Sequence, residues 1–214
     1  MITLTLVAIL GVLLVIVLMQ LFKKSEGPDP KGSPPATPAP DLAHLKVTDA
    51  RVGDMISVSG AGDDLSDLDF TADRCAWFEA GQRRWFELSG PYRERRAALR
   101  VSTGDDVEAA VHTDPRKLTI EDLGVSEDDL AQMDERQNTA DNFEFDGKMW
   151  YYRLSKEVGV FRDSQVQGTG FYGWEFIEDG GQRFLSIHKR EGEPFTAGVA
   201  IKLNPADITV FRPA

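Results

Sequence analysis

The stretch Phe143-Glu144-Phe145-Asp146-Gly147-Lys148-Met149-Trp150-Tyr151-Tyr152-Arg153-Leu154 decides the fold class. Two aromatic-rich runs, 143–145 and 149–154, flank Asp146-Gly147. A two-residue turn of this type needs positive φ at both positions, which Asp tolerates and Gly adopts freely, so the segment predicts a β-hairpin.

The same pattern recurs along the chain. Runs 75–80 and 83–88 flank Ala80-Gly81-Gln82, and runs 171–177 and 183–188 flank Asp179-Gly180-Gly181. Residues 52–58 alternate as a strand does, and 195–203 and 208–211 read as closing strands. One helix interrupts them. Ser126-Glu127-Asp128-Asp129 has capping-box spacing, its acids suit a helix N-terminus, and Leu130 and Met133 supply an apolar stripe, which predicts a helix over 127–136. The fold class expected is mainly β, built of antiparallel hairpins, with one short helix.

Two stretches resemble each other. In Trp77 to Trp85 and in Trp174 to Phe184, aromatics and an acid lead to Gly-Gln-Arg and then to an aromatic strand. Each is followed by a similar phrase, Asp114-Pro115-Arg116-Lys117-Leu118-Thr119 and Asn204-Pro205-Ala206-Asp207-Ile208-Thr209. Ordered matches of this kind suggest duplicated β-rich halves, 46–125 and 140–214, with the helix between them.

Ahead of this lies a different kind of sequence. Residues 2–22, ITLTLVAILGVLLVIVLMQLF, carry no charge. A helix of that length spans about 30 Å, the thickness of a hydrocarbon core. No basic residue precedes the run and Lys23-Lys24 follow it directly, so 1–24 reads as an uncleaved transmembrane anchor and not as a signal peptide. The two lysines place the N-terminus outside and the remainder in the cytoplasm, a single-pass arrangement at the cell membrane. Residues 25–45 read as a Pro-rich linker, holding six of the chain's 11 prolines. Proline keeps such a segment extended, for a reach of roughly 40–50 Å. Pro35-Ala36-Thr37-Pro38 also has the spacing of a PxxP ligand.

The soluble part, 46–214, is acidic. Residues 1–45 sum to zero charge, so the whole net charge of -11 falls on it. Such a domain repels nucleic acid and suits basic proteins, polyamines or metal cations. A single cysteine, Cys75, excludes an intrachain disulfide and fits a reducing compartment.

Val52-Gly53-Asp54, the Gly-Gln-Arg hairpin, Leu118-Thr119-Ile120-Glu121-Asp122-Leu123-Gly124, Phe171-Tyr172-Gly173-Trp174-Glu175-Phe176 and Pro205-Ala206-Asp207-Ile208-Thr209-Val210 together resemble the bacterial family called domain of unknown function 4178. The resemblance covers most of 50–212. It implies a genomic context near polyamine-synthesis and envelope-stress genes, and no activity, cofactor or catalytic residue. The anchor is an addition to the family pattern.

The acidic stretch Gly62-Asp63-Asp64-Leu65-Ser66-Asp67-Leu68-Asp69 is the candidate site. Asp63, Asp64, Asp67 and Asp69 could offer a cation or partner surface, although EF-hand spacing is absent. His44, His112 and His188 have no neighbour at ligand spacing, so no metal is expected. Cys75 sits in an aromatic run where a small thiol packs well. Arg83, Arg84, Arg93, Arg95, Arg96 and Arg100 form a local basic patch, with Glu79, Glu87 and Glu94 as cross-strand partners and an anion site as the alternative. Trp150, Tyr151, Tyr152, Phe171, Tyr172 and Trp174 could line an aromatic cage for an organic cation, or a core. No nucleotide, hydrolase or zinc-protease motif appears and no cofactor is expected.

The expected function is a membrane-tethered binding or adaptor module for a basic protein or polyamine. The alternatives are an enzyme of polyamine or envelope metabolism using carboxylates such as Asp67 and Asp69, and an extracytoplasmic structural protein.

Overall fold

The computed structural model describes residues 45–104, 106–114, 116–162 and 169–213. The apolar run 2–22, the Pro-rich segment and His44 lie outside the described residues. Among the described residues no helix is long and apolar enough to cross a membrane.

The described chain is mainly β, with one α-helix. Its strands are β1 (Met55–Val58), β2 (Leu68–Thr71), β3 (Arg74–Ala80), β4 (Arg83–Tyr92), β5 (Arg95–Ser102), β6 (Ala109–His112), β7 (Asn142–Phe145), β8 (Lys148–Arg162), β9 (Thr169–Glu178), β10 (Arg183–Lys189), β11 (Thr196–Leu203) and β12 (Ile208–Phe211), and its helix is α1 (Glu127–Arg136). The deciding hairpin is β7–β8, with Asp146 at φ 54° and Gly147 at φ 65°, the double positive φ that its turn requires. Helix α1 carries both halves of the Ser126–Asp129 capping box and ends on Gln137 in the left-handed region.

Eight antiparallel strands close into a barrel in the order β3-β4-β5-β6-β11-β10-β9-β8. The seam is β3 against β8, from Ala76↔Arg162 to Glu79↔Gly159. β8 is long enough to serve two partners: its first residues pair with β7, from Phe145↔Lys148 to Asn142↔Tyr151, and its last with β3. The barrel therefore consists of two four-stranded meanders, β3–β6 and β8–β11, joined at β6–β11 and at the seam. The two Gly-Gln-Arg phrases fall on different steps, the first hairpin of one meander and the second of the other. The two closing phrases both follow the last strand of a meander.

Strand alternation sets what faces where, and the main cores lie outside the barrel wall. Phe86, Leu88, Leu99, Val101 and Val111 point outward and are buried with Ile56, Val58, Leu68, Phe70 and Val210 of a separate three-stranded sheet, β12-β1-β2. On the opposite wall Tyr152, Trp174, Phe176, Leu185 and Ile187 are buried with Leu123, Leu130 and Met133 of α1 and its approach. Full burial of each such side chain contributes about 1.5–3 kcal/mol. Trp174 Nε1–H donates to Leu130 O at 3.2 Å, and Tyr172 Oη–H donates to Asp134 Oδ1 at 2.8 Å, which fixes α1 on the wall. A bulge between Tyr152 and Leu154 shifts the parity of β8. Ser155 thereby stays on the helix side, bonded to Tyr152 and Asp134, while Lys156 and Val158 turn inward. All three apolar clusters lie within one compact unit, Asp41–Ala214, which so contains the packing that it needs to fold by itself.

Candidate functional site

The residues alternating with those outward core positions line the lumen. Trp85 and Glu87 alternate with Phe86 and Leu88, Arg100 with Leu99 and Val101, and Ser186 and His188 with Leu185 and Ile187. The lumen holds a small apolar cluster of Ala80, Trp85, Val158, Val160 and Phe171, with Phe78 against it. Its remaining lining is polar and charged.

Two adjoining chambers occupy the lumen. One, of about 160 Å³, lies against Phe78, Trp85, Val158, Phe171 and both His112 and His188. The other, of about 310 Å³, lies against Ser102, Ala110, Arg153, Phe184 and Lys202. Arg83, Trp85, Arg100, Leu154, Glu175 and Ser186 border both. The partition between them is ionic. Arg100 Nη2 donates to Glu175 Oε1 at 2.7 Å, and Arg83 Nη1 lies 3.5 Å from Glu175 Oε2. The Arg100 guanidinium also stacks 4.5 Å above the Trp85 ring, and Trp85 lies parallel to Phe78 with centroids 5.4 Å apart.

The electrostatics of the lumen are opposite to those of the chain. Arg83, Arg100, Lys156, Arg162 and Arg190 face the smaller chamber against two carboxylates, Glu87 and Glu175. Burial alone would raise the pKa of Glu175, but Arg100, with Arg83 and Lys156, outweighs it and holds the group below the usual carboxylate range. Burial is also the main force on the two histidines, and it acts with the surrounding cations. It lowers His188 to about 4, helped by His112, Arg190 and Arg100, and it lowers His112 in the same direction. Both rings are therefore neutral at pH 7. His188 packs on Phe171 with centroids 4.2 Å apart, and the Arg190 guanidinium lies 5.5 Å from the same ring.

The candidate carboxylates read from the sequence lie elsewhere, around β2. Asp63 is held by Arg93 at 2.6 Å and by Arg95, and the Arg95 hydrogen bond is the main cause of its lowered pKa. Asp67 accepts the Gly60 N–H at 2.9 Å. Asp64 is exposed with φ 55°, and Asp69 is exposed on β2 opposite Ser57. Among the described residues no group of three His, Cys, Asp or Glu could hold a metal ion.

The other groups singled out in the sequence divide between core and lumen. Trp150, Tyr152 and Trp174 are buried in the core beneath α1, whereas Phe171 faces the lumen. The basic patch splits by strand parity. Arg84 pairs with Glu79 and Arg96 with Asp73 on the outside, while Arg83 and Arg100 turn inward to Glu175, a partner 75 residues from Arg100 that local spacing could not supply. Cys75 faces away from the lumen and packs against the outer core.

Compared with protein-family models, with curated proteins and with solved structures, the chain shows no match.

Proposed function

We propose that this chain is a membrane-tethered binding module whose site is the lumen of its barrel. One observation carries the reading: a partly open lumen that keeps free space and lines it with arginine, lysine, glutamate and histidine, while the apolar halves of the same strands pack outside. An eight-stranded barrel is just wide enough either to be filled by its own side chains or to hold one small ligand. A barrel that needed only to be stable would fill itself with apolar groups, because enclosed charges cost desolvation free energy. A few converging polar groups beside aromatic walls are what small-molecule sites use.

The tether in this reading is the apolar run 2–22, and Lys23-Lys24 put the barrel at the cytoplasmic face. A polyamine or basic protein, which the overall charge favours, would have to use the acidic exterior and not the lumen. The likeness to domain of unknown function 4178 is compatible with a binding role and supplies no ligand.

Two measurements test the proposal. Chemical-shift mapping on labelled Asp41–Ala214 with small aromatic probes should move amides of β4, β5, β9 and β10. Shifts confined to the outer sheet or to α1 would refute the lumen as the site. Fractionation of the full chain should leave it in carbonate-washed membranes, and deletion of 1–24 should release it. A full chain that washes off would refute the tether.

A further inference from the structure

We infer that the ligand of the lumen is a small organic anion with a flat apolar body, a ring-bearing carboxylate. The inference rests on the lumen being the binding site and adds the chemistry of what enters it.

The sign of charge comes first. In a chain of net charge -11, the smaller chamber gathers five cationic side chains against two carboxylates. Glu175 is already engaged by Arg100 and Arg83. Among the described residues Lys156 and Arg162 make no ion pair, and Arg190 reaches only Glu193 at 3.6 Å, outside the lumen. The excess is cationic; Arg83 and Arg162 open to solvent, whereas Arg100 and Lys156 are part-buried, where screening by salt is weaker and a positive field is felt more strongly. An ammonium would be repelled, and a neutral molecule would leave that field unanswered. A carboxylate answers it.

The body of the ligand follows from the walls. A chamber of about 160 Å³ is close to the size of a cavity that takes up one benzene ring. Trp85 is already stacked between Phe78 and Arg100, so Phe78 and Phe171 supply ring edges and Val158 an apolar floor. The cations lie over ring faces, Arg100 over Trp85 and Arg190 over Phe171. A ring lying against the aromatic wall would therefore carry its carboxylate toward Arg100, Lys156 and Arg190. The two neutral imidazoles add hydrogen-bonding nitrogens without a competing charge.

The test uses Asp41–Ala214 and three probes of one shape: benzoate, benzyl alcohol and benzylammonium, titrated by calorimetry and mapped by chemical shift. Benzoate should bind at least tenfold tighter than the alcohol, the ammonium should not bind, and added salt should weaken only the carboxylate. Lys156→Met, which removes no ion pair among the described residues, should weaken benzoate several-fold and leave the alcohol unchanged. Lys156→Met with Arg190→Met should weaken it further. Equal binding of alcohol and carboxylate in the lumen would overturn the anion and keep the lumen reading, as would unchanged benzoate affinity in both variants with unaltered melting temperature. Failure of all three probes to shift any lumen amide would overturn both.

Discussion

Arg100 and Glu175 meet at 2.7 Å from opposite walls of the barrel, β5 and β9, four strands apart in either direction around it. The pair ties the two meanders together across the lumen and divides it into its chambers. Glu175 is also the counter-ion that tempers the positive field. Glu175→Gln keeps the shape and an accepting oxygen but removes the charge. It should lower stability by about 2 kcal/mol, since Arg100 and Arg83 are then left under-compensated. It should also tighten binding of an organic anion. A urea titration and a benzoate titration of the same variant check both, and loss of affinity together with stability would show that the pair only holds the wall.

His188 makes stability depend on pH. Burial opposes its protonation most, followed by His112, Arg190 and Arg100, and Glu175 favours it. Its folded pKa of about 4 lies below the ordinary 6.5, so between these values the unfolded chain takes up a proton that the folded chain refuses. The stability from this group is complete above 6.5 and is lost as pH falls from 6.5 to 4, by about 3 kcal/mol at most. His112 acts in the same direction. Urea midpoints should drop between pH 7.5 and 4.5, and His188→Leu should flatten that drop. An unchanged slope in the variant would place the proton uptake elsewhere.

The hairpins and the helix were legible because their signals are local. Asp146-Gly147 and the Ser126–Asp129 capping box act within a few residues, and α1 spans the 127–136 that its cap and stripe predict. The site was not legible, because alternation assigns two faces without saying which is water. Leu99-Arg100-Val101 and Leu185-Ser186-Ile187-His188 read as apolar inside and polar out. Closure of the barrel at β3–β8 inverts that meaning: the polar face becomes the enclosed one, and the apolar face is covered by the sheet β12-β1-β2 and by α1. Nothing within a strand's length reports a closure between residues 76 and 162.

The outer sheet reaches the barrel at Gly90. A Cβ built on this residue would stand 2.0 Å from the Thr71 carbonyl oxygen and 2.8 Å from Phe70 Cδ2. Backbone cannot yield as a flexible side chain does, so the absent methyl is what lets β2 lie against β4. Gly90→Ala should cost about 3 kcal/mol or more, beyond the range of ordinary overpacking. By contrast Gly159→Ala, whose Cβ would first meet the Phe161 ring at 3.3 Å, should cost about 1 kcal/mol. Melting temperatures of the two variants provide the comparison, and a mild Gly90→Ala would mean that the sheet is free to shift.

Asp54 and Arg212 close the same sheet from the other side. Asp54 is 1% exposed, yet its carboxylate is fully answered. Arg212 donates through Nε to Oδ1 at 2.9 Å and through Nη2 to Oδ2 at 2.8 Å, and the Arg51 N–H donates to Oδ2 at 3.0 Å. Arg212 Nη2 also donates to the Asp49 carbonyl oxygen at 3.0 Å, so one guanidinium ties β12 to the chain entering β1. The Arg212 hydrogen bonds are the main reason that the Asp54 pKa lies below the ordinary carboxylate value. Because the folded pKa is lowered, the pair's stability is present above about pH 4 and is lost as pH falls through the folded pKa. Asp54→Ala and Arg212→Ala should each lower stability measurably, Asp54→Ala less, because Arg212 keeps some access to solvent whereas an unpaired Asp54 has none. The double variant should cost less than the sum of the singles, since the second change removes the charge that the first left stranded. Denaturant unfolding at pH 7 measures all three, and strict additivity would show that the two side chains act independently.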